Sequence, residues 1–248
     1  MAFRAAKSEA LLALLPDLAV VGECSQPDLE RIGERLDWQF VWSDGNEDTA
    51  RSRGKGLGVL ARTGLDLTLD ASYDPENRLF LPIRVSGEAR LNLLAAWTKR
   101  DARGRAFSHA AAVCRASEHY ATFIGSDDTI LVGDLNSSVI WDNLRTLNFS
   151  AALSRLEALG LISCYHAYTG EAEGEETQAT YYFWRQRERP FHIDYAFIPE
   201  GWVSHLTSVT VGEYGDWIGL SDHCPLIIDL AEPCRSGSLR ASALTPAA

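Results

Sequence analysis

The amino-acid sequence predicts an α/β protein in which two sheets pack face to face and helices cover their outer sides. Many short apolar segments bounded by Gly, Asp and Pro follow one another, with only a few helical segments between them. That order favours packed sheets over a strictly alternating chain with one parallel sheet. Hydrophobic residues form 46% of the 248 residues, which is enough for a sizeable core.

Four segments have the character of helices. Leucines recur with the helical period over residues 5–15, and Pro16 ends that segment. The other helices are predicted at residues 28–36, 104–123 and 150–159, and Gly160 ends the last of them. The segment at 104–123 is the longest of the four.

Ten apolar segments are predicted to be strands. The first, at residues 18–21, follows directly after the first helix and has the apolar character of a buried strand. The others are expected at residues 57–61, 65–69, 80–85, 91–97, 130–132, 179–184, 192–198, 206–211 and 226–230. We therefore predict one domain over residues 1–231. Residues 232–248, which are rich in Ser, Ala, Pro and Arg, are predicted to be a disordered tail.

The formal net charge of −11 bears on the class of partner. A protein that holds duplex DNA mainly by neutralising phosphates usually has a basic face. An acidic chain can still carry a local basic patch. The charge therefore disfavours a tight non-specific DNA binder, and it favours a small phosphate ester or a short nucleic acid.

The cysteines and the N-terminus indicate the compartment. Cys24, Cys114, Cys164, Cys224 and Cys234 are odd in number, and no two have the short spacing of a zinc site. Polar residues and a proline interrupt the apolar stretch at 11–21, so it does not resemble a signal peptide, and no segment is long enough to span a membrane. We expect a cytoplasmic monomer.

A polar motif directly follows the buried strand at 130–132. In Gly133-Asp134-Leu135-Asn136, Asp134 and Asn136 are two residues apart, so an extended backbone points both side chains the same way. A carboxylate beside an amide can deprotonate a water and hold it or a phosphate oxygen in place. Taken alone, the motif is more typical of a polar turn.

Three further positions carry groups that suit catalysis. His192 and Asp194 share one face of a predicted strand, where a carboxylate can orient an imidazole. Ser221-Asp222-His223 places a carboxylate that can bind a metal next to a titratable ring, just before the last strand. Glu23 ends the first strand. Each of these is also compatible with ordinary loop or surface chemistry.

Together, Glu23, the motif at 133–136, Asp194-Tyr195 and Ser221-Asp222-His223 resemble the endonuclease/exonuclease/phosphatase family, which contains exonuclease III and DNase I. The order of the motifs matches, and each lies at a strand end. Lys55-Gly56-Leu57-Gly58-Val59 is similar to the glycine-rich turn of that family. The resemblance covers roughly residues 5–230. It implies a DNase I-like fold, a four-layer α/β/β/α sandwich of two mixed sheets with the site at one rim.

The resemblance implies a metal site. Glu23 matches the metal-binding Glu of the family, and Asp222 matches an Asp close to the metal. Both are hard oxygen ligands, so the expected cofactor is Mg²⁺ or Mn²⁺. The family mechanism is in-line attack of water on phosphorus, with the metal offsetting charge on the phosphate oxygens and the leaving group.

The resemblance also implies catalytic roles for four residues. Asp134 matches the Asp that activates the attacking water, and Asn136 matches the Asn that contacts the phosphate. His223 matches the His that stabilises the phosphate or takes part in proton transfer. Asp194 matches the carboxylate that orients that His.

Three residues are expected to contact substrate on weaker grounds. Many members of the family have Tyr or His where this chain has Trp97-Thr98-Lys99. Trp97 can stack on a base, or it can belong to the core, while Lys99 can meet a phosphate as a point charge. Trp141 is expected at the substrate rim, with loop packing as the alternative. The acidic segment at 170–176 is expected to be a solvated loop or a lid.

The family normally begins with a strand that ends in an Asn, and no residue before Glu23 supplies it. We therefore expect an additional strand of about 5–8 residues before Met1. The predicted function is metal-dependent hydrolysis of a phosphate ester, with a phosphodiesterase or nuclease as the first choice. The alternatives are a phosphatase, a phospholipid phosphodiesterase, or a binding protein whose site is degraded.

Overall fold

The structure is a computed structural model that describes residues 5–45, 54–99, 108–143, 148–231 and 239–244. The helices in these ranges are α1 (Ala5–Leu12), α2 (Gln26–Leu36), α3 (His109–His119), α4 (Ala121–Ile124), α5 (Phe149–Ala158), α6 (Cys164–Thr169) and α7 (Tyr214–Trp217). No helix in these ranges is both long and apolar enough to cross a membrane.

The strands are β1 (Leu18–Cys24), β2 (Gln39–Asp44), β3 (Gly56–Ala61), β4 (Leu65–Leu69), β5 (Phe80–Gly87), β6 (Leu91–Trp97), β7 (Thr129–Asp134), β8 (Leu161–Ser163), β9 (Tyr181–Tyr182), β10 (Pro190–Phe191), β11 (Asp194–Pro199), β12 (Leu206–Val211), β13 (Leu226–Leu230) and β14 (Leu239–Leu244). They form two six-stranded sheets and a small ribbon of β9 and β10. Sheet A has the order β12-β13-β14-β1-β3-β2, and sheet B has the order β4-β5-β6-β7-β11-β8. Both sheets are mixed, because β1 pairs with β14 and β6 with β7 in parallel.

Alternating side chains along the central strands of sheet B define the layers. On β6, Leu91, Leu93 and Ala95 belong to the core between the two sheets, while Leu94 and Ala96 face the cluster that contains α3 and α5. Such alternation is expected of a strand that is buried on both faces. The predicted four-layer α/β/β/α sandwich is confirmed.

Helix α2 covers sheet A at a close approach. A side chain at Gly58 of β3 would place its Cβ within 2.4 Å of Leu29 Cδ1 and 2.7 Å of Cys24 Sγ. Only glycine leaves room for that contact, which explains the second glycine of the segment at 55–59.

Several elements differ from their predictions. The helix expected at 104–123 is divided into α3 and α4, and residues 104–107 lie outside the described ranges. The strand expected at 179–184 is limited to β9, after which a 3₁₀ turn with left-handed Trp184 and Arg185 breaks the extended backbone. The sequence patterns did not reveal β2, β8 or α6. The predicted strand at 192–198 begins only at Asp194.

The expected disordered tail also differs from the structure. Within residues 232–248, β14 forms a strand between β13 and β1, with Leu18 opposite Ala241 and Leu226 opposite Ala243. Pairing on both sides offers this polar and small-residue segment the backbone hydrogen bonds that its composition alone does not predict. The strand expected ahead of Met1 lies outside the described residues and stays a prediction.

Candidate active site

The ends of three neighbouring strands of sheet B meet at one rim. Asp134 is the last residue of β7 and lies opposite Asp194, the first residue of the antiparallel β11. Trp97, the last residue of β6, lies opposite Asp134 on the other side. At Gly133 a Cβ would lie 1.7 Å from the carbonyl oxygen of Ala96, so only glycine lets β6 and β7 approach here. The strand register therefore brings two carboxylates together.

The loop before β13 adds His223 to these carboxylates. Its Nδ1 donates to Asp194 Oδ2 at 2.8 Å, and its backbone N–H donates to Ser221 Oγ at 3.0 Å. One ligand atom of each of Asp134, Asp194 and His223 lies within 4.8 Å of the others, and all three residues are buried. We call these residues the strand-end cluster. Asp194, which is 0% exposed, fixes the ring through Nδ1 and leaves Nε2 as the nitrogen that faces other partners.

Burial and charge shift the protonation of this cluster. Burial would lower the pKa of His223, but the carboxylates of Asp194, Asp134 and Asp222 outweigh it and raise the pKa to about 9. Burial, followed by repulsion from Asp194, raises the pKa of the Asp134 carboxyl well above its usual range. The ring is therefore held as a cation near neutral pH, and Asp134 has the raised proton affinity of a general base.

Asn136 acts on Asp134 in this structure. Its backbone N–H donates to Asp134 Oδ1 at 2.8 Å, and its Nδ2 donates to Asp134 Oδ2 at 2.6 Å and to the Thr98 carbonyl at 3.0 Å. Both amide hydrogens are thus committed, so Asn136 orients the carboxylate. Its φ of 45° is left-handed, a conformation that costs free energy in a residue other than glycine and often occurs at functional sites.

The two expected metal ligands have different surroundings. Glu23 also has a left-handed φ, 52°, at an irregularity in the pairing of β1 with β3, and its Oε2 accepts from Lys55 Nζ at 2.8 Å. Asp222 Oδ1 is buried and has no hydrogen-bond partner among the described residues. Burial also raises the pKa of the Asp222 carboxyl.

A hard divalent cation fits this donor chemistry. Oxygen ligands are what Mg²⁺ takes in proteins, and a buried carboxylate oxygen without a partner is costly unless a cation or donor reaches it. Asp222 supplies that oxygen, and Glu23 supplies a second carboxylate that Lys55 holds through one of its oxygens.

Lys7 is a site residue that the sequence did not reveal. It is 2% exposed, and its Nζ donates to Ser221 Oγ at 3.0 Å. Burial lowers its pKa to about 7, although Asp222 and then Glu23 act in the opposite direction. Lys7 therefore lies near both expected metal ligands. The available signal was a single lysine within the first apolar helix, which is most often a surface residue.

Thr180, Tyr181 and Arg185 form another side of the site. The Thr180 hydroxyl accepts from the backbone N–H groups of Ile193 and Asp194, each at 3.0 Å, and so fixes the start of β11. The ring of Tyr181 lies 4.6 Å from that of His223, and burial raises the tyrosine's pKa to about 12. The charge of Arg185 acts on Lys7 and Asp222, which places it near the same rim.

The three expected substrate contacts have separate outcomes. Trp97 is only 3% exposed and packs in the core between the sheets, which favours the core alternative over stacking on a substrate. Lys99 is partly buried, with Nζ 4.6 Å from the centre of the Trp97 ring. Trp141 is 44% exposed, and its ring lies 5.0 Å from that of Phe191, so it retains a free surface.

Comparison with known proteins shows similarity of structure but no match by sequence. No family model matches the sequence, and no curated protein matches it. The structure is similar to the 3′ phosphatase NExo from Neisseria bound to a product DNA hairpin, with a TM-score of 0.66 and 18% identity over 92% of this chain and 95% of that one. It is also similar to an AP endonuclease from Archaeoglobus fulgidus, with a TM-score of 0.61 and 13% identity over 90% and 91%. An AP endonuclease from Leishmania major gives a TM-score of 0.62 and 13% identity over 91% and 81%. The chain therefore has the DNase I-like fold.

Proposed function

We propose that this chain is a metal-dependent hydrolase of phosphate esters, and that its substrate is a phosphodiester of nucleic acid. The observation that carries the proposal is the strand-end cluster. It places a buried carboxylate with raised proton affinity within 4.8 Å of an oriented, cationic imidazole. A base for water and a donor for phosphate oxygens are the two groups that in-line hydrolysis requires.

Each residue of the cluster has a distinct role. Asp134, held by Asn136, takes a proton from the attacking water as its oxygen approaches phosphorus. His223 donates from Nε2 to a phosphate oxygen, whose negative charge is greatest in the transition state. Asp194 is a positioning residue, because it contacts the ring at Nδ1 on the side away from that donor.

A divalent cation completes the proposal. Glu23 and Asp222 would hold Mg²⁺ or Mn²⁺, which when bound offsets charge on the phosphate oxygens and the leaving group. Lys7 and Arg185, whose charges act on Asp222, add positive potential on the same side for an anionic substrate. This local positive group is compatible with a chain whose net charge is −11.

The likeness to a phosphatase bound to a DNA hairpin and to AP endonucleases supports nucleic acid as the substrate class. The exposed ring of Trp141 is available to stack on a base at the rim.

The test is a substrate panel with defined ions. Oligonucleotides with an internal abasic site, a 3′ phosphate or an intact 3′ end, together with a phosphoinositide, sphingomyelin and bis(p-nitrophenyl) phosphate, are incubated with Mg²⁺, with Mn²⁺ or with excess EDTA. We expect turnover of at least one nucleic acid with either ion, and none in EDTA or with Asp134→Asn. Turnover restricted to a lipid or a monoester would contradict the proposal that the substrate is a nucleic-acid phosphodiester. Turnover that persists in EDTA would contradict the proposed dependence on a metal.

A binding protein on the same fold is the second candidate. The ion pair between Lys55 and Glu23 favours it, because a lysine then occupies part of the coordination that a metal would need. The two candidates differ in the same panel. A binding protein retains affinity for an oligonucleotide in a filter or polarisation assay while no substrate is hydrolysed with either ion.

A further inference from the structure

The acidic segment at 170–176 does not form the solvated loop that its composition predicts. It folds back onto α6, where Glu176 Oε1 lies 3.2 Å from His166 Nε2 and Glu173 Oε1 lies 3.2 Å from His166 Nδ1. His166 Nδ1 also lies 2.7 Å from Ser163 Oγ. One ligand atom of each of His166, Glu173 and Glu176 lies within 4.8 Å of the others. We call these three residues the loop cluster.

A buried imidazole beside the loop cluster has an unused nitrogen. His192 Nδ1 lies 2.9 Å from the Gln178 carbonyl oxygen, which can only accept, so Nδ1 carries the hydrogen. Nε2 is buried and has no hydrogen-bond partner among the described residues. His192 is 4% exposed, and burial lowers its pKa, which favours the neutral ring. A neutral imidazole anchored through Nδ1–H to a carbonyl is the arrangement that metal-binding histidines usually show.

The rings of His166 and His192 lie slightly farther apart than two ligands of one ion. Their centres are 6.2 Å apart, so a small movement must bring His192 to an ion that His166, Glu173 and Glu176 hold. Two imidazoles bound to a tetrahedral zinc ion at about 2.1 Å have ring centres roughly 5–6 Å apart. Glu176 also acts electrostatically on His192, which shows that the carboxylate and the ring are neighbours.

A second unpaired atom lies in the same cluster. Glu173 Oε2 is buried without a hydrogen-bond partner among the described residues. An unsatisfied buried oxygen and an unsatisfied buried nitrogen each cost roughly 1–3 kcal/mol. A cation that binds both removes these costs, and two carboxylates with two neutral imidazoles offset a 2+ charge.

We propose that His166, Glu173, Glu176 and His192 bind one divalent transition-metal ion, with Zn²⁺ as the best match. Two nitrogens and two carboxylate oxygens form a donor set that zinc accepts in tetrahedral sites, whereas Mg²⁺ and Ca²⁺ prefer oxygen alone. The site is separate from the strand-end cluster and does not depend on the proposed hydrolysis.

The position of this ion gives it a structural role at the rim. A Cβ on Gly174 would lie 2.8 Å from Val139 Cγ2 and 3.3 Å from Ile140 Cγ2, so the loop packs against the turn that carries Trp141. His192 also precedes Asp194 by two residues. A metal bound here would hold the loop against two parts of the active-site rim, the turn that carries Trp141 and the segment from His192 to Asp194.

Direct binding of Zn²⁺ to the full chain tests the proposal. Metal-free protein is titrated with Zn²⁺ by calorimetry in excess Mg²⁺ and in a His223→Gln background, which removes the imidazole of the strand-end cluster. We expect one equivalent to bind with a Kd on the order of 1 μM or tighter. Glu173→Gln, whose side chain is one-third exposed, and His166→Gln should each weaken binding by about 10–100-fold or more. Glu175→Gln, an exposed carboxylate of the same loop, should leave the affinity unchanged.

Spectroscopy and folding controls complete the test. Co²⁺ bound in place of Zn²⁺ should show the visible absorption of a tetrahedral site, and His192→Gln should change that spectrum. Circular dichroism in EDTA verifies that each variant is folded, and Glu173→Gln keeps the test valid if a histidine variant is not. Equal zinc affinity in wild type, Glu173→Gln and His166→Gln would overturn the proposal, as would an affinity weaker than about 1 mM. Either result would mean that His166 is held by ion pairs with the two glutamates alone.

Discussion

The strand-end cluster and the loop cluster use the same side chains, carboxylate and imidazole, in different settings. The first joins three residues that are far apart in the chain: Asp134 and Asp194 meet because β7 and β11 pair in a fixed register, and the loop before β13 adds His223. The second joins residues within an eleven-residue stretch of α6 and the following loop, from His166 to Glu176. Sheet register thus fixes a site rigidly, while the loop cluster depends on the contacts that it makes itself.

If the strand-end cluster performs the chemistry, its variants should show the largest effects. Asp134→Asn and His223→Ala should each lower kcat by roughly 10³-fold or more, because one removes the base and the other removes the phosphate donor. Glu176→Gln, the matched change in the loop cluster, should lower kcat by less than about tenfold. The measurement is initial rate against substrate concentration with Mg²⁺, with Asp216→Asn as an exposed control. A loss with Glu176→Gln as large as with Asp134→Asn would reverse the comparison.

Asp194 should act only through His223. Asp194→Asn alone should lower kcat by about 10–10³-fold, since the ring loses its orientation. The double variant Asp194→Asn/His223→Ala should be scarcely slower than His223→Ala, because the imidazole that Asp194 orients is already absent. The check is the set of four kcat values measured at one pH. Losses that add in log kcat would show that Asp194 works independently of the imidazole.

The strand-end cluster should also make the stability of the protein depend on pH, an effect smaller than the losses of kcat. The folded pKa of His223, about 9, lies above the ordinary value of 6.5, so its contribution is fully present below pH 6.5 and is lost as the pH rises through 9. We expect a loss on the order of 1–3 kcal/mol of unfolding free energy in metal-free protein. Urea denaturation from pH 6 to 9.5 measures it. His223→Gln should show a flatter profile, and an equally steep one would assign the dependence to other groups.

The smallest expected effect concerns the ion pair of Lys55 with Glu23. Lys55→Met should lower the Mg²⁺ concentration for half-maximal rate by a few-fold, because Glu23 loses a competing cation. Arg90→Met, which breaks an exposed ion pair with Asp127, is the matched control and should have no effect. An unchanged or increased Mg²⁺ requirement in Lys55→Met would show that the ion pair does not compete with the metal for Glu23.

The sequence predicted the architecture from local signals, because apolar patterns identified most strands. Asp134, Asp194 and His223 were identified differently: each motif is ambiguous alone, but their order at strand ends resembles that of a known family. Lys7 was missed because nothing in the helical pattern shows that a lysine points inward to Ser221. The loop cluster was missed because an acidic segment has the composition of a solvated loop, and only its fold brings Glu173 and Glu176 to His166.

The position of β14 has a consequence for how the protein is made. β14 lies between β13 and β1 in sheet A. The last strand of the described chain therefore connects the first strand to one near the other end of the sequence. Such pairing raises the contact order of the fold and slows folding. During synthesis, β1 with β3 and β12 with β13 would wait as two half-sheets with open edges, which are the surfaces on which nascent chains aggregate. A chain that ends before Leu239 would therefore leave nearly the whole domain with two open strand edges in sheet A.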